Sequence, residues 1–331
     1  MRARLITAFI AAAIFVVVIP ANAGLAPDNP WLDRPPLNIA HQGGAKEAPS
    51  NTLYAFKRAL KVGADVLELD VHATADRQLV VIHDATVHRT TNGEEGRRVD
   101  QMTLAQIKQL DAAFWWSPGR VDCHPKDYDD CHWKFRGVAT GDKKPPKGYT
   151  ANDFRVPTLD EVLTSFPDAL INIEIKGVRE FGLPDTIPFE RELAQLLKHH
   201  RRSDDTIVVS FSDAFIETFK THAAARALDV STATGIVETG AFFFSAEGDL
   251  PGAPNPRYQA LQVPIFFDDV PGEPVQIVDQ DFVDDAQANG LAVHVWTIDE
   301  SSEMHWLLDL GVNGIMTDVP STLEKILKKR S

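Results

Sequence analysis

The chain has 331 residues, 44% of them hydrophobic and 24% charged, enough for one large domain with an ample core. Its formal charge of −14 repels phosphate backbones and argues against a nucleic-acid partner. The same surplus argues against loose adhesion to anionic membranes.

The first element stands apart from the fold. Arg2 and Arg4 precede an apolar run from Leu5 to Ile19, and Ala21-Asn22-Ala23 follows as a small-x-small cleavage site. Residues 1–23 therefore read as a secretory signal peptide. The run is short for a membrane span, which needs roughly 20 apolar residues, so no stable membrane anchor is expected. Cleavage near Ala23 removes two arginines and no acids, taking the charge from −14 to −16, and exports the protein to the periplasm or beyond.

From Leu37 onward, short apolar strands alternate with helical patterns. The strands are expected at Leu37–Ala40, Ala64–Asp70, Leu79–Ile82, Ala169–Ile175, Thr206–Val209, Val230–Thr234, Leu261–Pro264, Leu291–Thr297 and Gly314–Met316. The helices are expected at Asn51–Val62, Thr103–Leu110, Thr158–Phe166, Phe189–His199, Asp213–Arg226, Asp281–Asn289, Ser301–Leu310 and near Leu323–Leu327. Alternation of this kind favours a parallel sheet with helices outside. About eight strands suit a closed (β/α)8 TIM barrel, with an open doubly wound sheet as the second choice. Residues 24–331 are read as a single domain.

Two stretches break the rhythm. Residues 237–280 read as irregular. Residues 114–155 hold both cysteines and three of the six tryptophans, so they read as an ordered insertion rather than a linker. In an exported protein, a disulfide between Cys123 and Cys131 is the expectation. His124 and His132 follow the two cysteines, and a zinc site is the alternative.

Side chains alternate across a strand. Glu68 and Asp70 thus share one side at the end of the second strand, and Glu174 and Lys176 form a similar pair after Leu170–Ile173. In a parallel barrel both pairs point into one mouth. Three carboxylates meeting there repel unless a cation lies between them, and all-oxygen ligation favours Mg²⁺ or Ca²⁺. Structural ion pairs of Lys176 with Glu174 or Asp70 are the plainer alternative. His41 and His83 end neighbouring predicted strands, flanking the carboxylates as a proton donor and acceptor near neutral pH. His72 continues the alternation of Glu68 and Asp70 in a supporting place. Asn51 is expected to cap a helix or to reach back toward the site, Asp318 to cap the last helix, and Trp296 to wall the substrate or pack at the rim.

Taken together, these pieces resemble the glycerophosphodiester phosphodiesterase family. HQGG with the following NT resembles the family's HRG…ENT motif, and ELDVHATADRQLVVIHD resembles its E-x-D…HD segment. ATVHRTTNG, NIEIK, VWTID and GIMTDVP resemble the later R-T-T-x-G, E-x-K, V-W-T and G-I-x-T-D-x-P motifs. The resemblance implies a TIM barrel that hydrolyses glycerophosphodiesters to glycerol 3-phosphate and an alcohol. It implies one divalent cation on Glu68, Asp70 and Glu174, acid and base roles for His41 and His83, and a phosphate contact for Lys176. Two positions depart from it. Gln42 replaces an arginine that binds phosphate, without the charge, and Ser50 replaces a glutamate. The variant is reminiscent of exported bacterial members and of the lysophospholipase D-like branch, whose substrates are lysophospholipids. Phe114-Trp115-Trp116 and Phe242-Phe243-Phe244 are the sequence's candidates for acyl contact, and equally for core. A binder of glycerophosphodiesters without turnover is the alternative outside enzymes.

Overall fold

The computed structural model describes residues 29–176, 187–246, 258–267 and 273–330; the expected signal peptide lies outside them. Eight parallel strands run in chain order around a ring: β1 (Leu37–Ala40), β2 (Val66–Ala73), β4 (Leu170–Ile175), β5 (Thr206–Val209), β6 (Ser231–Thr232), β7 (Ala260–Val263), β10 (Ala292–Val295) and β11 (Gly314–Thr317). β1 pairs with β11 from Leu37 opposite Gly314 to Ala40 opposite Thr317. A parallel bridge between Ala233 and Ala260 brings β6 beside β7 and completes the circuit. The expected (β/α)8 architecture is the one observed.

Local chemistry sets the helices. In α1 (Leu53–Val62) the Thr52 hydroxyl accepts from the Ala55 N–H at 3.1 Å, and Gly63 ends it with φ 103°. α3 (Leu159–Ser165) begins with a capping box, Thr158 with Glu161. α4 (Glu190–His200), α5 (Asp213–Ala224), α7 (Gln280–Ala288), α8 (Ser301–Leu310) and α9 (Pro320–Arg330) complete the outer ring with α6 (Ile236–Ala246). Outward strand residues such as Leu67, Leu69, Ile171 and Val208 pack on helix residues Phe56, Leu163, Leu197 and Phe219. Each such burial contributes about 1.5–3 kcal/mol. Inward residues Ile39, Val66, Ile207, Ala292 and Met316 form a second core with Trp31.

Two expectations are corrected. Leu79–Ile82 is not a barrel strand: β3 (Leu79–Val81) folds back antiparallel on β2, with Val71 opposite Val81. Only Thr74–Gln78 separate the two strands, and a parallel return needs a longer crossover. The stretch 237–280 was read as irregular, yet it begins with α6, whose run of phenylalanines hid the helical face. It continues with a small hairpin of β8 (Phe266–Phe267) and β9 (Val275–Gln276). α2 (Leu104–Ile107) is shorter than expected.

The insertion is ordered, as expected. It has its own core of Trp116, Phe135, Val138 and Phe154, which packs on Tyr54 of α1. Cys123 and Cys131 are disulfide-bonded with Cα atoms 5.7 Å apart, so the zinc alternative is excluded.

One polar layer lies inside the barrel. Asn172 Nδ2 donates to Gln262 Oε1 at 3.1 Å, and Gln262 Nε2 donates to His294 Nδ1 at 3.2 Å. Burial lowers the His294 imidazole to about 4, and burial likewise takes His72 to about 4. Below the ordinary value of 6.5, the unfolded chain binds protons that these buried rings refuse. Their stabilising effect is complete above about pH 6.5 and is lost as pH falls toward 4, by up to about 3 kcal/mol each. Urea midpoints followed from pH 7 to pH 4.5 test this. His294→Gln is expected to show the shallower decline; equal slopes would refute it.

Candidate active site

All barrel strands end at one rim, and the charged residues singled out from the sequence gather there. Glu68 and Asp70 face inward from β2, and Glu174 does so from β4, where it pairs in register with Asp70. One oxygen from each of the three lies within 4.8 Å of the others. Glu68 and Asp70 are buried and Glu174 nearly so. Burial and then repulsion from Asp70 push the Glu68 carboxyl well up. Burial also raises Glu174. Burial acts the same way on Asp70, but the charges of Lys176, His83 and His41 outweigh it and hold Asp70 down.

The donor set fits a hard divalent cation. Asp70 Oδ1 and Glu174 Oε1 are buried and accept no hydrogen bond among the described residues. The Lys176 ammonium is near them, 3.3 Å from Asp70 Oδ1 and 2.9 Å from Glu174 Oε1. Three carboxylates suit Mg²⁺ or Ca²⁺ rather than zinc. The ion-pair alternative and the cation reading are thus both represented in the geometry.

Each histidine is held by a carboxylate. His41 sits in the turn after β1, and its Nδ1 lies 2.7 Å from Asp318 Oδ1 beyond β11. Burial alone lowers the His41 imidazole, but the Asp318 hydrogen bond and the charges of Glu68, Asp318 and Asp70 raise it to about 9. His83 follows β3, and its Nδ1 lies 2.7 Å from Asp84 Oδ1. Burial works against ionisation of Asp84, yet hydrogen bonds from His83 and Arg89 hold its carboxyl far below the usual range. Arg89 grips Asp84 with two nitrogens, at 2.6 and 2.7 Å. On its other side His83 Nε2 meets Lys176 Nζ at 3.1 Å. Lysine can only donate. His83 Nε2 is therefore the acceptor, and Nδ1 carries the hydrogen toward Asp84. His83 reaches the site because the β3 hairpin returns to β2, where the Ile82 N–H donates to the Asp70 carbonyl at 3.0 Å.

The loop after β1 is shaped to serve the carboxylates. Gln42 has φ 51° and Asn51 φ 56°, left-handed values that cost energy outside glycine. In exchange the Gln42 N–H donates to Glu68 Oε2 at 2.7 Å, and Asn51 Nδ2 donates to Asp70 Oδ2 at 2.7 Å. Gly43 follows with φ 82°, and a Cβ there would stand 2.8 Å from the Ala55 Cβ. Of the two places expected for Asn51, the structure gives the one at the site, while Thr52 caps the helix. Asp318 likewise does not serve α9 but faces His41.

The remaining expectations place as follows. His72 Nε2 lies 3.0 Å from the His83 carbonyl, bracing the hairpin. Trp296 stands half-buried at the rim, its ring 5.5 Å from Phe211. Lys176 Nζ lies 5.8 Å from the Phe211 ring centre. His88 packs on His124, and His305 meets Arg330 at the surface. Asp84, Arg89 and Asp318 were given no catalytic place from the sequence, although they stand inside the quoted HD, R-T-T-x-G and T-D-x-P motifs.

Comparison with known proteins identifies the family. The profile of the glycerophosphoryl diester phosphodiesterase family matches residues 41–322. A glycerophosphodiester phosphodiesterase of Caldanaerobacter subterraneus subsp. tengcongensis is 33% identical over 301 residues, covering 88% of this chain and 98% of that protein. A human lysophospholipase D is 26% identical over 311 residues, covering 88% of this chain and 85% of that protein. The solved Oleispira antarctica phosphodiesterase in complex with the product sn-glycerol-3-phosphate shares the fold, with a TM-score of 0.59 at 22% identity over 88% of this chain and 96% of that one. The matched span runs from the first imidazole to the helix behind the last strand, and over that span the chain belongs to the glycerophosphoryl diester phosphodiesterase family.

Proposed function

We propose that this protein is a divalent-cation-dependent hydrolase of glycerophosphodiesters, releasing glycerol 3-phosphate and an alcohol. One observation carries the reading: three buried carboxylates converge between two imidazoles, each of which is fixed at Nδ1 by its own carboxylate. That arrangement fixes both rings through Nδ1, with Lys176 Nζ at His83 Nε2 until a substrate phosphate draws the ammonium away, and a structural ion-pair cluster has no need of two imidazoles so oriented.

Glu68, Asp70 and Glu174 would hold the cation, which when bound neutralises charge on the phosphate oxygens. Lys176 supplies a second positive charge at the phosphate, in a site where Gln42 supplies none. His83, with its hydrogen on Nδ1, offers the Nε2 lone pair to the attacking hydroxyl, from water or from the glycerol itself. His41, held in its protonated form by Asp318, delivers a proton to the leaving alcohol. Trp296 and Phe211 wall the side of the mouth beyond Lys176. Export belongs to the same proposal. It is supported by the apolar leader and by a cystine of the kind that persists in oxidising compartments. The region after Ala23 would then act as one domain.

The test is release of glycerol 3-phosphate from glycerophosphocholine by the purified full chain, with and without EDTA. Release that EDTA stops is the expected result. Binding of glycerophosphocholine without product would favour the non-catalytic binder instead.

A further inference from the structure

The insertion and its cystine have no part in the site described so far, yet two of its residues reach the arginine behind His83. Arg89 presents Nε and Nη2 to Asp84, at 2.6 and 2.7 Å. Its remaining nitrogen, Nη1, faces Asp122 Oδ2 of the insertion at 4.0 Å. The guanidinium thus lies between two carboxylates. The main chain of Arg89 is held as well. His124 Nε2 lies 3.0 Å from the Arg89 carbonyl. A carbonyl only accepts, so this nitrogen carries the ring hydrogen and donates it. Asp122 and His124 flank Cys123, so one tripeptide grips Arg89 by side chain and backbone at once.

That tripeptide is itself anchored. Cys123 is buried and disulfide-bonded to Cys131, and its carbonyl accepts from Trp133 Nε1 at 2.8 Å. The buried His124 ring stacks on Trp115 with centres 4.2 Å apart, and the His88 ring lies 5.1 Å from it. Covalent closure over a sequence separation of 8 leaves this loop few conformations to lose when it docks. An arginine side chain without such holds samples many rotamers, and each one that leaves Asp84 frees the Nδ1 side of His83.

We propose that Asp122 and His124 are positioning residues for turnover: the cystine loop holds Arg89, Arg89 fixes Asp84, and Asp84 fixes the His83 ring. The inference rests on the hydrolase reading above, in which His83 Nε2 takes the proton of the attacking hydroxyl, and it gives the insertion and its disulfide a part in that site. Neither residue touches substrate. Their influence passes through contacts in series, from the loop to Arg89, from Arg89 to Asp84, and from Asp84 Oδ1 to His83 Nδ1 at 2.7 Å. A misplaced base slows the proton transfer without weakening substrate binding, so the effect belongs to kcat rather than KM.

The experiment measures kcat and KM for glycerophosphocholine in the full chain carrying Asp122→Ala with His124→Leu, or His124→Gln alone, or Cys123→Ser with Cys131→Ser. The first pair is also made in an Arg89→Ala background. Asp122→Ala with His124→Leu is expected to lose at least about fivefold in kcat with KM nearly unchanged, a part of the 10²–10⁴-fold worth of a well-placed base. His124→Gln, which keeps a donor for the Arg89 carbonyl, is expected to stay within about twofold of wild type. The cysteine pair is expected to lose kcat in the same way as the first. In Arg89→Ala the first pair is expected to cost less than about twofold more, because the group it acts through is gone. A variant that merely folds less completely loses the same factor in both backgrounds. No loss in the first pair, an equal loss in both backgrounds, a loss that His124→Gln shares, or full turnover without the disulfide overturns the inference and leaves the hydrolase reading standing. A wild type that releases no glycerol 3-phosphate overturns both.

Discussion

His41→Ala lowers the rate of glycerol 3-phosphate release at least about a hundredfold, within the 10²–10⁴-fold worth of a positioned acid or base. The loss is expected mainly in kcat, because in the proposed role the imidazole acts on the leaving oxygen and contributes little to substrate affinity. Asp318→Asn gives a smaller loss with a distinctive signature. Asp318 keeps the proton on His41 by a 2.7 Å hydrogen bond and by its charge. Without that charge the imidazole gives up its proton at lower pH, so the alkaline limb of the kcat/KM profile moves toward neutrality. A profile that keeps its shape in Asp318→Asn removes the carboxylate from the proton path. Full activity in His41→Ala removes the imidazole itself.

Chelation is expected to cost about as much. EDTA lowers turnover at least about a hundredfold, since a Lewis acid at a phosphoryl oxygen is worth several kcal/mol, and Mg²⁺ or Ca²⁺ restores it. A second readout needs no substrate. A cation that binds only the folded chain stabilises it by about 2.7 kcal/mol at a hundredfold excess over its Kd, so Tm rises in wild type. In Glu68→Gln that rise disappears. The variant without cation is expected to melt no lower than wild type without cation, because burial and Asp70 already disfavour the charge on Glu68. An equal rise in Tm for both proteins would place the cation elsewhere.

The architecture was legible because its signals are local and periodic. Strands such as Val66–Asp70 and Thr206–Val209 are short apolar runs, and the helices between them begin at Thr52, Thr103 and Thr158, whose side chains bond to the first turn. Glu68, Asp70 and Glu174 were legible for the same reason, since a period of two puts them on one face. Direction of pairing was not legible. Val80 and Val81 look like any buried strand, and only the short connection betrays a hairpin. Contacts that cross the barrel were hidden most deeply. Asn51 precedes a helix and so resembles a cap, yet its amide reaches Asp70. Asp318 lies 277 positions from His41, and no spacing rule links them. Asp84 needed only its neighbour to be noticed, but an acid beside a histidine is ordinary in sequence and acquires meaning from the 2.7 Å contact.

That long separation between His41 and Asp318 bears on the life of the polypeptide. β1 is among the first segments made and β11 among the last, and they lie side by side. A growing or truncated chain that stops short of Asp318 contains both histidines and all three clustered carboxylates, yet lacks the carboxylate that holds His41 Nδ1. The His41–Asp318 pair therefore forms only when the final strand docks beside the first, at the end of synthesis.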